Sequence, residues 1–224
     1  GTSYYFRGAV DNNWVKFGKD STGTDMYWRI IRINGDGSIR IIYSGTTAPT
    51  ESTKVVMTGE STSIGKSKFS DGKNSSIYVG YQYVDNKQFG YGKCDGSNAS
   101  CRIDRSTTIY NSSLKQAIDK WYITTTLYTD ESTKNIVSDS IFCNDRSVTE
   151  GSWTSSGNMS PVYYSPRTRL ETNKSPILTC PNIEDMFTIN NITLKNNEIG
   201  GNGALTYSVS AITADEVAMA GGVM

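Results

Sequence analysis

The stretch "WRIIRINGDGSIRIIY" at residues 28–43 constrains the fold more than any other part of the chain. It is nearly a mirror image about "GDG", which is typical of a β-hairpin. We expect a three-residue loop at Gly35–Asp36–Gly37, closed by a glycine in the left-handed region. Such a loop pairs like with like: Ile33 with Ile39, Arg32 with Arg40, Ile31 with Ile41, and Ile30 with Ile42. Matched β-branched pairs stabilise a sheet by roughly 0.2–1 kcal/mol each.

The same alternation predicts which residues share a face of the hairpin. One face carries only isoleucines, and the other carries Trp28 together with Arg32 and Arg40. Because both faces are partly apolar, the hairpin is expected at the centre of a sheet. Two neighbouring arginines repel each other, so a carboxylate or carbonyl cluster should lie beside them. This pattern fits a structural ion cluster, and an anion-binding pair is the alternative.

The overall composition is that of a polar chain without a basic surface. The 224 residues have a formal net charge of zero, and charged residues make up 20%. This balance argues against nucleic acid as a partner. No apolar run reaches the length of a membrane span, so we expect no membrane segment in this sequence. The first residues, "GTSYYF", resemble a stretch from the middle of a longer sequence, and we expect a chain trimmed at its N-terminus.

Four cysteines suggest two disulfide bonds. Cys94 and Cys101 flank the turn-rich "DGSNAS", which leaves Cys143 to pair with Cys180. An even number of cysteines in a chain rich in Ser, Thr and Asn is typical of an exported protein. Four free thiols remain an alternative, as does a zinc site, although no CxxC spacing occurs.

The chain contains no histidine, which limits its chemistry. Ser–His–Asp and Cys–His catalysis and histidine-ligated metal sites are all excluded. Carboxylate catalysis is not, because a glycosidase needs only two acids, but no spacing singles out such a pair. We therefore predict no catalytic residues, no cofactor and no metal site. Calcium remains open, since loops at 95–98 and 144–145 offer Asn and Asp oxygens.

The remaining patterns predict a single α+β domain over residues 1–224. Its helices are expected at 114–121 after Ser112 or Ser113, at Asp130–Ser138, at Asn182–Phe187, and at 214–220 between a Thr213–Glu216 capping box and Gly221. Its strands are expected in a hairpin over Tyr4–Phe17, in the hairpin above, at 76–84 and at Tyr207–Ile212. Strands and helices are segregated, which favours an antiparallel sheet of hairpins with two or three short helices and long irregular loops.

The segment 144–176 stands apart because it is polar, contains proline and lacks periodicity. Loops on a rigid scaffold are where binding residues concentrate, and Tyr, Trp and Arg dominate binding energy. We expect this segment to expose its aromatic and basic side chains, Arg146 included. The predicted ligand-binding residues are Trp153, Tyr163, Tyr164, Arg167 and Arg169. Ordinary core packing of these aromatics is the alternative.

Three strings carry a resemblance to a known family: "YWRIIRINGDGSIR", "FCNDR" and "ITADEVAMAGG". Together they resemble a poorly characterised family of bacterial surface-protein domains, similar to the C-type-lectin and formylglycine-generating-enzyme superfold. The resemblance implies a C-type-lectin-like fold and display at the cell surface, anchored through a segment outside this sequence. It implies no catalytic residues. In relatives a further strand follows the last helix, so the chain is expected to be short at its C-terminus, leaving an open sheet edge for self-association.

Two functions follow from these patterns. The first is a non-enzymatic extracellular domain, an adhesin or pilin-like module that binds a glycan or protein ligand at a surface. The alternative is a secreted glycan-active enzyme that uses paired carboxylates.

Overall fold

The fold was analysed in a computed structural model of the chain. The structure describes the following residues: 1–55, 59–68, 80–84, 87–88, 109–150, 163–182, 185–190 and 200–222. Contacts divide the chain into two compact units. The first unit comprises Gly1–Lys66, Ile118–Ser138 and Ala214–Met224, and the second comprises Ser67–Ala117 and Asp139–Thr213.

An antiparallel sheet of four strands forms the first unit. Its strands are β1 (Tyr4–Tyr5), β2 (Trp14–Lys19), β3 (Asp25–Ile33) and β4 (Ile39–Tyr43). Strand β3 is central, with β4 along one edge and with β2 and β1 in succession along the other. The prediction that β1 and β2 form a hairpin is therefore wrong. The nine residues of β3 offer room for both strands on one edge.

The mirror hairpin has the predicted loop. Asn34 N–H donates to Ser38 O at 2.8 Å, and Gly37 N–H donates to Asn34 O at 2.9 Å. Gly37 has φ of 89°, a conformation that glycine adopts without steric cost. The register is confirmed for the two pairs nearest the loop, Arg32 with Arg40 and Ile33 with Ile39.

Beyond those two pairs the predicted register is wrong, because the pairing shifts by one residue between Ile30 and Arg32. Ile30 pairs with Ile41, which leaves Ile31 as the extra residue of a β-bulge. A one-residue shift moves every later side chain to the opposite face of the sheet. Trp28 pairs with Tyr43, which lies on the same face of β4 as Ile41 and Ile39.

The bulge therefore separates Trp28 from the arginines, contrary to the predicted faces. Strand β4 alternates regularly, so Arg40 and its partner Arg32 lie on the face opposite Tyr43 and its partner Trp28. An unbroken register would place guanidinium groups beside a buried indole. With the bulge, the tryptophan enters the core and the arginines lie on the other face.

Three short helices complete the first unit's core: the second half of α1 (Ser113–Tyr122), α2 (Thr126–Thr129) and α3 (Glu131–Lys134). The rings of Trp28, Tyr43 and Trp121 form one cluster, with centroids 5.2–6.2 Å apart. Offset and edge-on arrangements at such distances add to the burial of the rings. Leu127 and Met26 lie under Gly18, which holds φ of 72°.

Two predicted helix starts, those of α1 and α3, are confirmed. Helix α1 follows Ser112, whose hydroxyl oxygen accepts from Lys115 N–H at 3.2 Å. Helix α3 follows Asp130, whose carboxylate accepts from Ser132 N–H at 2.9 Å, but it ends at Lys134 and not at Ser138. A side-chain oxygen at the N-cap accepts a hydrogen bond from a backbone N–H that has no partner within the helix. Serine and aspartate are favoured there for this reason, so these two helix starts could be predicted from the sequence.

The last helix, α5 (Ala214–Met219), closes the first unit. It ends as predicted at Gly221, which has φ of 93°. Gly221 N–H donates to Ala218 O and Gly222 N–H donates to Val217 O, which is the Schellman pattern. Gly8 N–H donates to Ala220 O at 2.8 Å, so the helix end is fastened to the segment before β2.

The second unit contains three small antiparallel sheets among the described residues. Their strands are β5 (Gln82–Val84), β6 (Lys87–Gln88) and β7 (Ile109–Asn111); β8 (Phe142–Cys143) and β11 (Met186–Phe187); and β9 (Val148–Glu150) and β10 (Tyr163–Tyr164). The core is formed by Tyr81, Phe142, Phe187 and Leu205. The predicted strand at 76–84 is confirmed for its last three residues, and residues 76–79 lie outside the described ranges.

Two predicted elements of the second unit are wrong. Residues 207–212 form bends and irregular backbone, and Ala211 O accepts from the Tyr81 hydroxyl at 3.2 Å. Met186–Phe187 is a strand and not the end of a helix, because it pairs with β8. At Met186–Phe187, tertiary pairing overrides local propensity.

The described structure is mixed helix and strand with antiparallel sheets and short helices, as the α+β prediction requires. No helix in these ranges has the length and apolar character needed to cross a bilayer.

Candidate functional site

The predicted anion beside the two arginines is present, and it comes from the chain itself. Glu216 Oε1 lies 3.1 Å from Arg40 Nε and 3.6 Å from Arg32 Nη1. The side chains of Glu216, Arg40 and Arg32 are only 8%, 10% and 14% exposed. Removing charge from water is costly unless the charge is paired, so the loss of one member of this contact between helix α5 and the hairpin would be strongly destabilising. The prediction that a carboxylate lies beside the two arginines is confirmed, and this carboxylate belongs to Glu216 of the same chain.

Side-chain amide oxygens accept from two arginines of β3. Arg32 Nε donates to Asn34 Oδ1 at 2.6 Å, and Arg29 Nη1 donates to Asn13 Oδ1 at 2.8 Å. Burial lowers the pKa of Arg32, Glu216 opposes this effect, and Arg40 adds to it. Arg29 also lies over the Trp14 ring, 3.9 Å from its centroid.

The candidate binding segment 144–176 lies in the second unit and includes strand β9 near its start. Tyr163 pairs with Glu150 and Tyr164 with Val148, so β10 returns antiparallel to β9. A helical turn, α4 (Ser165–Arg167), follows, with Pro166 in its first turn. The chain then forms a π-helical turn over Thr168–Thr172, closed by Asn173 N–H donating to Thr168 O at 3.1 Å.

Two features of this segment are uncommon in folded chains. The π-helical turn is rare, and such turns are frequent at functional sites. Lys174 holds φ of 53°, in the left-handed region that side chains other than glycine seldom adopt. Strained backbone that a fold retains is a reason to examine the segment for function.

A largely buried ion pair joins two parts of the segment. Arg169 Nη1 lies 3.0 Å from Asp145 Oδ2, with side chains 14% and 5% exposed. Asp145 Oδ1 also accepts from the backbone N–H and the hydroxyl of Ser147, at 3.0 Å and 2.6 Å. The predicted ligand-binding residue Arg169 therefore anchors the π-helical turn to the start of the segment.

Arg146 is buried, and the expectation that it is exposed is wrong. Its Nε lies 2.5 Å from Asp185 Oδ1, and its backbone N–H donates to Asp185 Oδ2 at 3.0 Å. The guanidinium also lies 5.6 Å from the centroid of the Phe187 ring. A guanidinium that is paired with a carboxylate and lies over an aromatic ring can be buried. The residues near Arg146 in the sequence do not indicate this partner, because Asp185 is 39 residues away.

The other predicted binding residues have different surroundings. Tyr164 is half-buried, and burial raises its pKa to about 12, while the nearby positive charge of Arg146 opposes that shift. The side chain of Arg167 is 60% exposed and contacts Glu171 at 2.8 Å. Tyr163 lies on β10, but its side chain is outside the described part of the structure, as is all of Trp153.

A disulfide bond encloses the candidate segment. Cys143 and Cys180 are bonded, with Cα atoms 5.4 Å apart, so the prediction of this pair is confirmed. Cys94 and Cys101 lie outside the described residues, and their pairing stays a prediction. Because Cys143 comes directly before residue 144, the bond closes a loop that contains every predicted ligand-binding residue.

Sequence reasoning missed several buried charged residues that hold these elements. Asp185 and Lys115 are buried, and Glu216 was interpreted only as a capping residue. The arginine pair in the hairpin was the one signal that a carboxylate was needed. Nothing in the sequence identified which carboxylate supplies it, because the contact joins distant positions.

The described carboxylates do not suggest a metal centre. Asp145 of the proposed calcium loop is engaged by Arg169 and Ser147. No group of three metal-ligating side chains comes together in the ranges that the structure describes. The loop at 95–98 lies outside them.

Comparisons with known proteins give no assignment. No family model, no curated protein and no solved structure matches the chain. The resemblance to bacterial surface domains of lectin-like fold stays a prediction.

Proposed function

We propose that this chain is an extracellular, non-enzymatic surface domain that binds a glycan or protein ligand through the segment 144–176. The observation that carries the proposal is the Cys143–Cys180 disulfide, which closes a loop around that segment. A closed loop loses less conformational entropy on binding than an open one, and preorganisation of this kind improves affinity.

The surroundings of the loop support a binding role. The Asp145–Arg169 and Arg146–Asp185 pairs fix both its beginning and its π-helical turn on buried partners. The side chain of Tyr164 is partly exposed, and that of Arg167 is mostly exposed to solvent. Partly exposed tyrosine and arginine on a rigid base are typical of residues that dominate binding energy.

The disulfide also supports export. Disulfides persist in oxidising compartments and are rare in the cytosol. An extracellular location, with the domain displayed at a cell surface, is therefore part of the proposal. We also propose that the fold is of the C-type-lectin-like kind, in which long loops on small antiparallel sheets perform recognition.

A glycan array and a glycoside hydrolase screen, run in parallel on the same preparation, test the proposal. We expect the protein to bind at least one glycan or cell-surface component, and we expect the hydrolase screen to detect no cleaved glycan. Turnover of a glycan would instead favour the alternative, an enzyme with carboxylates about 5–10 Å apart. Failure of the native protein to bind any glycan on the array or intact cells would contradict the proposal.

Self-association through an open sheet edge is a separate part of the proposal. Strand β4 pairs only with β3 among the described residues, and Ile39 on it is exposed. Edge strands with exposed apolar residues are templates for pairing with another chain. Analytical ultracentrifugation of the wild type and of Ile39→Lys should show association that the lysine reduces. A concentration-independent monomer in the wild type would exclude it.

A further inference from the structure

The loop of the mirror hairpin contains an Asn–Gly pair with no assigned role. Asn–Gly occurs twice in the chain, at Asn34–Gly35 and at Asn202–Gly203. Asn–Gly is the dipeptide most prone to spontaneous loss of the side-chain amide, because glycine has no Cβ to shield its backbone nitrogen. The two pairs differ sharply in their surroundings, which makes one a control for the other.

At the hairpin, the attacking nitrogen belongs to an exposed loop residue, with the backbone of Gly1 lying beside it. Gly35 is exposed, and within the described part of the chain its N–H donates to no group. Asn34 is half-buried, and its backbone N–H and carbonyl bond to Ser38 and Gly37. These bonds hold the loop but leave the peptide between Asn34 and Gly35 free to react.

Two hydrogen bonds hold the side chain of Asn34, and one of them polarises its carbonyl group. Arg32 Nε donates to Oδ1 at 2.6 Å, and Nδ2 donates to the Ser38 hydroxyl oxygen at 2.9 Å. A cation that hydrogen-bonds a carbonyl oxygen draws electron density from the carbon and stabilises the oxyanion formed there.

We propose that Asn34 is a site of spontaneous deamidation in the folded protein. The Gly35 nitrogen attacks Asn34 Cγ and forms a bond to it, while the Cγ–Nδ2 bond breaks. The amide nitrogen leaves as ammonia and takes the proton of the Gly35 N–H. Water then opens the five-membered imide to aspartate or isoaspartate at position 34.

The product adds a negative charge beside Arg32. Arg32 and Arg40 both contact the carboxylate of Glu216, and the new carboxylate arises next to the Arg32 guanidinium. The hairpin tip would thus change charge with the age of the molecule.

The second pair is protected by the fold. Asn202 and Gly203 are buried, and Gly203 N–H donates to the Thr188 hydroxyl oxygen at 3.1 Å. Asn202 Oδ1 accepts from Ala204 N–H at 3.0 Å. Reaction there requires local opening first, which lowers the rate by the population of the open form.

Peptide mapping by mass spectrometry of the full folded chain, aged in mildly alkaline buffer, tests the proposal. We expect Asn34 to convert at least about tenfold faster than Asn202, the factor that ~1.4 kcal/mol of local opening produces. Ion-exchange chromatography should show an acidic species that Asn34→Gln abolishes, while circular dichroism confirms that both proteins stay folded.

A parallel sample unfolded in urea supplies the reference for the unprotected rate. If Asn34 keeps its amide in the folded chain over the time in which the unfolded chain converts it, the hairpin protects the residue and the proposal is overturned. Equal conversion of Asn34 and Asn202 in the folded chain would overturn it as well.

Discussion

Replacing Glu216 by glutamine tests how strongly helix α5 depends on the arginine pair. The substitution keeps the size of the side chain and removes its charge. Arg32 and Arg40 would then face each other across the ladder without the carboxylate that lies 3.1 Å from Arg40. We expect the first unit to lose stability, because two buried guanidinium groups keep their desolvation cost while their shared anion is lost.

The magnitude follows from burial. All three side chains are less than 15% exposed. Removing one partner of a buried ion pair typically costs about 3–5 kcal/mol, and the amide of glutamine still accepts a hydrogen bond, which favours about 3 kcal/mol. At roughly 2–4 °C per kcal/mol for a chain of this size, the melting temperature should fall by about 6–12 °C.

Urea unfolding followed by tryptophan fluorescence measures this effect. Three of the four tryptophans, Trp14, Trp28 and Trp121, belong to the first unit and Trp153 belongs to the second, so most of the signal comes from the first unit. Glu60→Gln is the matched control, because Glu60 makes an ion pair with Lys66 in which both side chains are more than 80% exposed. Exposed pairs contribute about 0–1 kcal/mol, so the control should change little.

The reasoning is refuted if Glu216→Gln costs no more than the control. A mutant cycle with Arg40→Met sharpens the result. If the contact between the two residues carries the effect, the double variant should lose less than the sum of the single variants.

Three further predictions concern other positions. Gly37→Val should cost more than about 1 kcal/mol in urea unfolding, because φ of 89° strains a β-branched residue; an unchanged midpoint would exclude that strain. Replacing Cys143 and Cys180 by serine should cost about 3–4 kcal/mol for a separation of 37 residues, and peptide mapping without reductant should find this pair in the native protein; alkylatable thiols at both positions would contradict it. Tyr164 should ionise near pH 12 in an ultraviolet titration, and Tyr164→Phe should remove that step. Because the unfolded tyrosine loses its proton near pH 10, stability from Tyr164 is present below about pH 10 and lost towards pH 12, by about 1 kcal/mol after allowance for its partial exposure.

Local signals in the sequence were sufficient for features that neighbouring residues determine. The loop at Gly37, the start of α1 after Ser112 and the end of α5 at Gly221 each depend on one backbone conformation or one capping contact. Such features carry their own signature in the residue that makes them possible.

Features set by distant contacts could not be predicted in this way. The bulge at Ile31 places Trp28 on the face where its ring contacts Trp121 of α1. The pairing of β1 with β3, and not with β2, depends on the length of β3. Neither constraint is visible within the hairpin or the segment before it.

The candidate site shows the same division. Composition and lack of periodicity identified the segment 144–176, and the chain's cysteine arrangement identified the bond that closes it. The burial of Arg146 could not be foreseen, because Asp185 lies 39 residues away. A charged residue in a polar loop gives no sign of whether its partner is solvent or a buried carboxylate.

The most direct test of the account measures ligand binding by the double variant Trp153→Ala/Tyr164→Ala. Tyr4→Ala/Tyr5→Ala is the matched control, since these tyrosines are 64% and 46% exposed and lie in the first unit. On the glycan array and on intact cells, the account predicts that the first pair weakens binding by about 30-fold, from at least about 1 kcal/mol per residue, with folding intact. The control pair should bind as the wild type does. Equal binding by the two double variants would contradict the claim that the disulfide-closed segment is the binding site.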